Sequence, residues 1–259
     1  MFCATQLNRT KSSIQNYANK NNIKLNKKQL SDLFLNIYKK ENKKFNVDAN
    51  LFINPQLPEV IYSLGLLWAD GHLNIQKNSL RSVCLKSTSP DGEEIYKIMS
   101  SYGKWNFYKY QSKNVRYKNL KPSITINTNN RPLVEFLEKM DYNSKHKSAD
   151  KILDIIPESL QYYWYRGVFD GDGCLYINKS TIQVVFSGPY DQDWNYLKKL
   201  LNKLKVTFKE TKIITKKGHK SSNIRLTGRN NCKLFLLYIY QNVEGSIYLT
   251  RKYNKYKLL

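Results

Sequence analysis

Apolar positions along the chain gather into segments with helical or alternating spacing, and the set of segments occurs twice. Pro58-Glu59 opens a nearly continuous apolar run, Val60 to Ala69, that stops at Asp70-Gly71. Pro157-Glu158 opens a second run, ending Tyr165-Arg166-Gly167-Val168-Phe169-Asp170-Gly171-Asp172-Gly173. Both read as helices. Pro suits the first helical position and Glu complements the positive end of the dipole. Gly71 and Gly173 are placed as left-handed helix stops. After Asp70 the pattern predicts strands over Leu73–Gln76 and Ser82–Ser87, a helix over Glu93–Ser101, a basic hairpin from Lys104 to Thr128, and a helix over Arg131–Met140. After Asp172 it predicts strands over Leu175–Asn178 and Ile182–Ser187, a helix over Asp193–Leu204, a basic hairpin from Lys205 to Thr227, and a helix over Asn230–Tyr240. The interval from Asp70 to Lys104 is one residue longer than that from Asp172 to Lys205.

This order predicts an α+β protein of two pseudo-symmetric αββαββα units. The halves are residues 51–140 and 157–259, joined by a linker over 141–156. Residues 1–50 stand outside the repeat, with ten Lys or Arg against three acids. There, helical spacing through Leu30, Leu33, Phe34 and Ile37 suits a DNA-gripping arm, a small helical module or a tail.

The repeated pattern Gly-x-x-x-small-Asp-Gly carries the chemistry. Residues i and i+4 share a helix face, so Gly65 with Ala69, and Gly167 with Gly171, make a smooth stripe on each helix. Stripes of this kind let two backbones approach closely. Glycine inside a helix costs about 1 kcal/mol relative to alanine, and close packing supplies the reason for it. Helices packed through these stripes converge at their C-termini, which brings Asp70 and Asp172 together in a shared pocket. Two carboxylates beside the negative ends of two dipoles repel. A divalent cation relieves the repulsion, and oxygen-only ligands favour Mg²⁺, with Mn²⁺ or Ca²⁺ able to occupy the same place.

Charge points to a polyanion. Lys plus Arg number 43 against 20 acids, a net charge of +23 in a 259-residue chain. Such an excess is tolerated most easily against nucleic acid, and a metal centre on it suggests phosphodiester hydrolysis. Several classes fall away. No apolar run approaches the ~20 residues of a membrane span. Cys3, Cys84, Cys174 and Cys232 lie far apart, which argues against a zinc finger or disulfide framework and for reduced thiols. No secretory signal is visible, so a compartment holding the host DNA is expected. An EF-hand at Asp170–Gly173 fails because Thr181 stands at the twelfth position.

The two motif segments resemble the paired signature of the LAGLIDADG homing endonucleases, over roughly residues 51–250. Ser63 and Tyr165 replace the first Leu, Leu64 and Arg166 the first Ala, and Trp68 an acid. The resemblance implies a monomer whose halves mimic a homodimer. Each half would hold a four-stranded antiparallel sheet, and the two would form a saddle over double-stranded DNA. It implies metal binding by Asp70 and Asp172 with help from the carbonyls of Ala69 and Gly171, and a double-strand break with short 3′ overhangs. It further implies a basic residue near each centre: Arg131 in the first half, and Arg229 or Lys233 in the second. Arg166 is expected to reach a carboxylate or a DNA phosphate.

DNA contacts are expected from the hairpins and sheets: Gln76, Lys86, Lys104, Lys109, Lys113, Arg116, Lys118, Gln183, Lys209, Lys212, Lys216, Lys217, Lys220, Asn223 and Arg225. Lys and Arg suit guanine, and Asn and Gln suit adenine. Rival readings are an RNA maturase acting on introns, a non-cleaving DNA-binding regulator on the same scaffold, and an unrelated basic RNA-binding protein. The last leaves the paired aspartates unexplained.

Overall fold

The computed structural model describes residues 47–75, 81–111, 121–144, 148–215 and 218–259, and residues 47–259 form one compact unit. The proposed functions of residues 1–46 lie outside the described residues. Val47 already belongs to the core: it is fully buried, bridges to Gly103, and its carbonyl accepts from Asn130 Nδ2 at 2.5 Å.

The first half runs α1 (Asn50–Ile53), α2 (Pro58–Asp70), β1 (Gly71–Asn74), β2 (Ser82–Thr88), α3 (Asp91–Ser100), β3 (Asn106–Tyr110), β4 (Ser123–Thr128) and α4 (Arg131–Lys139). Then α5 (Asp150–Ile155) leads to the second half: α6 (Gln161–Asp172), β5 (Gly173–Ile177), β6 (Ile182–Gly188), α7 (Asn195–Lys203), β7 (Lys209–Ile214), β8 (Lys220–Thr227) and α8 (Arg229–Ile239). A final helix, α9 (Thr250–Tyr256), follows. The strands form two antiparallel four-stranded sheets, β1-β2-β4-β3 and β5-β6-β8-β7. Their registers match: Gly71 faces Leu85 in one, and Gly173 faces Phe186 in the other. Alternation puts Val83, Leu85, Ile124 and Ile126 of the first sheet, and Val184, Phe186, Ile224 and Leu226 of the second, into the core.

The two motif helices, α2 and α6, meet backbone to backbone. A Cβ added at Gly65 would lie 2.1 Å from the Trp164 carbonyl oxygen, and one at Gly167 would lie 2.2 Å from that of Tyr62. The contact is reciprocal, as a pseudo-two-fold requires. Further along, a Cβ at Gly171 would sit 2.4 Å from the Ala69 Cβ. The small-residue stripe therefore is the interface.

The structure differs from the sequence reading in four places. Pro157-Glu158 does not open α6; a 3₁₀ turn over Glu158–Leu160 intervenes, and the α-helix starts at Gln161. Gly71 and Gly173 are not left-handed. Both are extended (φ −73°, ψ 155° and φ −80°, ψ 151°), because each helix passes directly into a strand. Glycine is needed there for space: a Cβ would lie 2.3 Å from the Leu67 carbonyl oxygen in one case and 2.2 Å from the Phe169 ring in the other. The segment 141–156 is no loose tether, since it contains α5 and buries Tyr142, Ala149, Ile152 and Ile156. The Tyr142 hydroxyl donates to the Leu64 carbonyl at 3.0 Å, which ties the segment to α2. Finally, α9 has no counterpart in the repeat and was not predicted.

Replacing Gly65 or Gly167 by alanine removes a poor helix former, which on propensity alone would stabilise. The overlap with a carbonyl reverses the sign. Each variant is expected to lose about 1–3 kcal/mol, read as a lower urea midpoint at unchanged slope.

Candidate active centres at the ends of the motif helices

Asp70 and Asp172 are the last residues of α2 and α6, and both are exposed. The helices converge as expected, but the carboxylates do not share one pocket. They line two cavities. One, of about 380 Å³, is lined by Asp70, Gly171, Lys86, Ser87, Asp91, Asp170 and Arg251, among others. The other, of about 460 Å³, is lined by Asp172, Ala69, His72, Ser187, Gly188, Gln192 and Trp194, among others. The arrangement is crossed: each cavity takes the terminal acid of one helix and the small residue before the acid of the other. At the first centre a Cβ on Gly171 would lie 3.2 Å from Asp70 Oδ2. The missing side chain leaves the backbone beside that carboxylate open.

The residue two before each acid has a different task in each half. Trp68 is buried and packs edge-on against Tyr142 (5.3 Å between centroids) and Tyr196 (6.2 Å). Its counterpart, Asp170, is buried among hydrogen-bond donors. Oδ2 accepts from the Tyr62 hydroxyl and from the Leu249 amide, both at 2.8 Å, and Oδ1 accepts from the Tyr240 hydroxyl at 3.2 Å. Burial pushes its carboxyl up, and the nearby Lys252 charge opposes this. The same burial, with Asp170 alongside, pushes the Tyr62 and Tyr240 hydroxyls up, so they stay protonated donors.

Lys252, on α9, closes the C-terminus of α6. Its ammonium donates to the carbonyls of Phe169 (2.7 Å), Asp170 (2.8 Å) and Gly173 (2.6 Å). The Phe169 carbonyl also accepts from the Gly173 amide, so the ammonium adds to the bonds that close the last turn, and a cation there matches the negative end of the dipole. Burial draws the Lys252 pKa down, and Asp170 restrains the shift. The helix that carries Lys252 also reaches the first half. Arg251 Nε donates to both Asp91 oxygens (2.9 and 2.6 Å), and the Thr250 amide donates to Glu94 Oε2 at 2.8 Å.

Arg166 reaches neither a carboxylate nor the surface. It is fully buried and donates to three carbonyls: Ile239 at 2.6 Å, Ile247 at 2.9 Å and Gln241 at 2.5 Å. It thereby satisfies the end of α8, with its guanidinium 4.7 Å from the Tyr163 ring centroid.

The other residues singled out in the sequence are dispersed. Arg131 opens α4, stays 73% exposed and pairs with Glu135 at 2.7 Å. Arg229 opens α8 and donates to the Leu259 carbonyl at 2.6 Å, and Lys233 is exposed on the same helix. None of the three lines either cavity. Among the described residues the cations that do are Lys86 and Arg251, both at the Asp70 centre. Arg251 escaped sequence reasoning because α9 lies outside the repeat, and His72 because a lone histidine in a strand carries no pattern.

On the sheets, Lys86, Gln183, Lys209, Asn223 and Arg225 have the parity of the face away from the core. Arg225 stands opposite Val185 and Lys209. Asn223 is only 6% exposed. Lys109 has the opposite parity and pairs with Glu93 on α3 at 2.8 Å. Lys212 and Lys220 share that parity, and their ammonium groups lie 5.1 and 5.9 Å from the Tyr190 ring centroid. Lys104 is exposed ahead of β3. Gln76, Lys113, Arg116, Lys118, Lys216 and Lys217 lie outside the described residues. Exposed Tyr108, Tyr110 and Tyr176 were not singled out, yet they present rings on the outer parity.

The architecture matches known structures. Over 85% of this chain and 91% of the other, it aligns with a structure described as the homing endonuclease I-WcaI bound to its DNA recognition sequence, at 15% identity and a TM-score of 0.54. I-DmoI in complex with DNA and Ca aligns over 78% of this chain and 98% of that one, at 12% identity and a TM-score of 0.48. No family model and no curated protein matches the sequence. The chain has the fold of the LAGLIDADG homing endonucleases, with the signature residues at its central helix pair.

Asp170 and Lys252 hold each other in a dry site. Lys252→Met is expected to cost about 3–5 kcal/mol by leaving a buried charge uncompensated. Adding Asp170→Asn should return part of that loss. A double-mutant cycle by urea denaturation measures the coupling.

Proposed function

We propose that this protein is a site-specific double-strand DNA endonuclease, a homing endonuclease carrying both active centres on one chain. The observation that supports it best is the crossed pairing of Asp70 with Gly171 and of Asp172 with Ala69 in two cavities related by the repeat. A pair of equivalent centres suits a substrate with two equivalent bonds, one in each strand. The charge of +23 and the outer sheet faces supply the grip on DNA, and the I-WcaI relative is a DNA-bound homing endonuclease.

A divalent cation fits the donor set. Among the described residues no group of three or more His, Cys, Asp and Glu could hold a metal alone. Each centre instead brings one carboxylate beside the small residue that precedes the acid of the other helix. Such a sparse oxygen set suits a hard ion that keeps water and takes phosphate oxygens as further ligands. Asp70 with the Gly171 carbonyl, and Asp172 with the Ala69 carbonyl, would hold it. When bound, Mg²⁺ lowers the pKa of water and carries charge on the leaving oxygen.

The chain's own residues orient and bind. The glycine contact sets the spacing of the two acids, Lys252 fixes the backbone from which Asp172 projects, and the basic sheet faces hold the phosphates. In each strand a water oxygen bonds to phosphorus and the P–O3′ bond breaks. The electron pair leaves with O3′, and the proton that water loses is balanced by the one O3′ gains. Cuts displaced across the minor groove leave short 3′ overhangs.

A plasmid library with a randomised insert tests the reading. Mg²⁺ or Mn²⁺ should yield linear product, and EDTA should leave the plasmid intact. Asp70→Asn and Asp172→Asn should each leave only a nick, and the double variant no cut, with DNA binding retained in all three. Double-strand cleavage by the double variant would refute the assignment, and cleavage of the same library as RNA would favour the maturase reading. If about eight phosphates are contacted, log K falls with log salt at a slope of about −7.

A further inference from the structure

The two sheets carry equivalent pairs of outward side chains with different hydrogen-bonding character. Gly71 faces Leu85 and Gly173 faces Phe186, so Cys84, one residue earlier, corresponds to Val185. Cys84 faces Asn127 on β4, and Val185 faces Arg225 on β8. Asn127 in turn faces Asn106 on β3, and Arg225 faces Lys209 on β7. The Asn127–Asn106 pair of the first half therefore stands where the second half has Arg225–Lys209. Their neighbours Ile126 and Ile224 point into the core, which puts both pairs on the outer face. β4 and β8 are inner strands, flanked on both sides. Asn127 and Arg225 thus lie in the middle of their faces.

The pairs offer different groups. Arg225 and Lys209 are exposed and carry donors only. Asn106 Nδ2 donates to Asn127 Oδ1 at 3.0 Å, and both residues are half-buried. That bond uses one donor and one acceptor of the pair. It leaves Asn127 Nδ2 as a donor and Asn106 Oδ1 as an acceptor, side by side. Turning both amides over exchanges the roles and still leaves one of each.

We propose that these pairs read bases: Arg225 a guanine in one half of the DNA site, and Asn127 with Asn106 an adenine at the equivalent place in the other half. The proposal rests on the DNA-binding part of the reading above and names its specificity. In the major groove guanine shows two acceptors, N7 and O6, which the fork of one guanidinium spans. Adenine shows the N7 acceptor beside the N6 amino donor. The asparagine pair matches it, with the free amide donor on N7 and the free amide oxygen on N6. Lys209 adds a second set of donors beside Arg225, so a base presenting an amino group there meets only donors and is rejected. A central place on the face favours bases over phosphates, because a β-ribbon in the major groove directs its middle side chains to the groove floor. Asn223, two residues before Arg225 on the same face, is only 6% exposed, which leaves Arg225 as the reader on β8.

The test uses the full chain and the randomised library, selected for binding in EDTA and sequenced, so no cleavage is required. Selected sites should carry a G and an A at equal distances from the centre, on opposite strands. Arg225→Gln should turn that G preference to A and leave the other half-site unchanged. Asn127→Arg combined with Asn106→Lys, which copies the second half onto the first, should convert the A to G. By anisotropy, Arg225→Gln should weaken binding to the native site about 10- to 100-fold. It should also bind the site with A at that place more tightly than the site with G.

If Arg225→Gln weakens every sequence alike and lowers the salt slope by about one, Arg225 holds a phosphate and the proposal falls. It falls too if the selected sites lack the stated bases, or if the double substitution leaves the A in place. Each of these outcomes leaves the endonuclease reading intact. Selected sites that carry both bases yet are never cut in Mg²⁺ or Mn²⁺ would uphold the base reading and overturn the nuclease.

Discussion

Everything in this molecule is referred to the contact in which Gly65 and Gly167 each press against a carbonyl of the opposite helix. At that separation no side chain, not even a methyl group, fits between the helices. The contact fixes the distance between the halves, and through it the distance between the two acids one turn further on. Close packing of this kind is stiff, because interiors transmit strain instead of absorbing it. The two glycines thus act as the ruler that sets how far apart the two acids stand.

The pseudo-symmetry is strong in the backbone and weak in the chemistry. The sheets share topology and register, and both motif helices run straight into a strand. The supports of the helices differ. Near the first helix a tryptophan packs into a cluster of rings, whereas the second helix carries a buried aspartate, a buried arginine and, from α9, a buried lysine. Each of these polar groups is matched by several donors or acceptors, which is the condition for burying it without loss. Arg166 and Lys252 do similar work at two different helix ends, each donating to three backbone carbonyls at or beyond the last turn. This polar dressing ties the last helix to both halves.

The positive charge of the chain is also sorted by structure. Strand parity sends Lys86, Lys209 and Arg225 to the outer face, while Lys109 and Lys198 pair with Glu93 and Glu210 between helix and sheet. A count of basic residues in a hairpin therefore overstates what is offered to a polyanion. Outward-facing rings at Tyr108, Tyr110 and Tyr176 add surface that a count of charges does not register.

The sequence by itself determined the repeat, the order of elements, the two stripes and the acids that follow them, because each is written in local spacing: period 3.6 in the helices, period 2 in the strands, and a glycine where backbones must touch. It also marked Asp70 with Asp172 and Ala69 with Gly171, since the repeat aligns them. Only the tertiary structure decided that the acids open into two cavities instead of one. It alone revealed that Arg166 faces carbonyls, that residues 141–156 are packed, and that Arg251 and Lys252 come from outside the repeat to the ends of the motif helices. These are contacts between residues up to 160 positions apart. No periodicity records them, because the energy that selects them comes from desolvation and partner geometry that exist only once the chain has closed on itself.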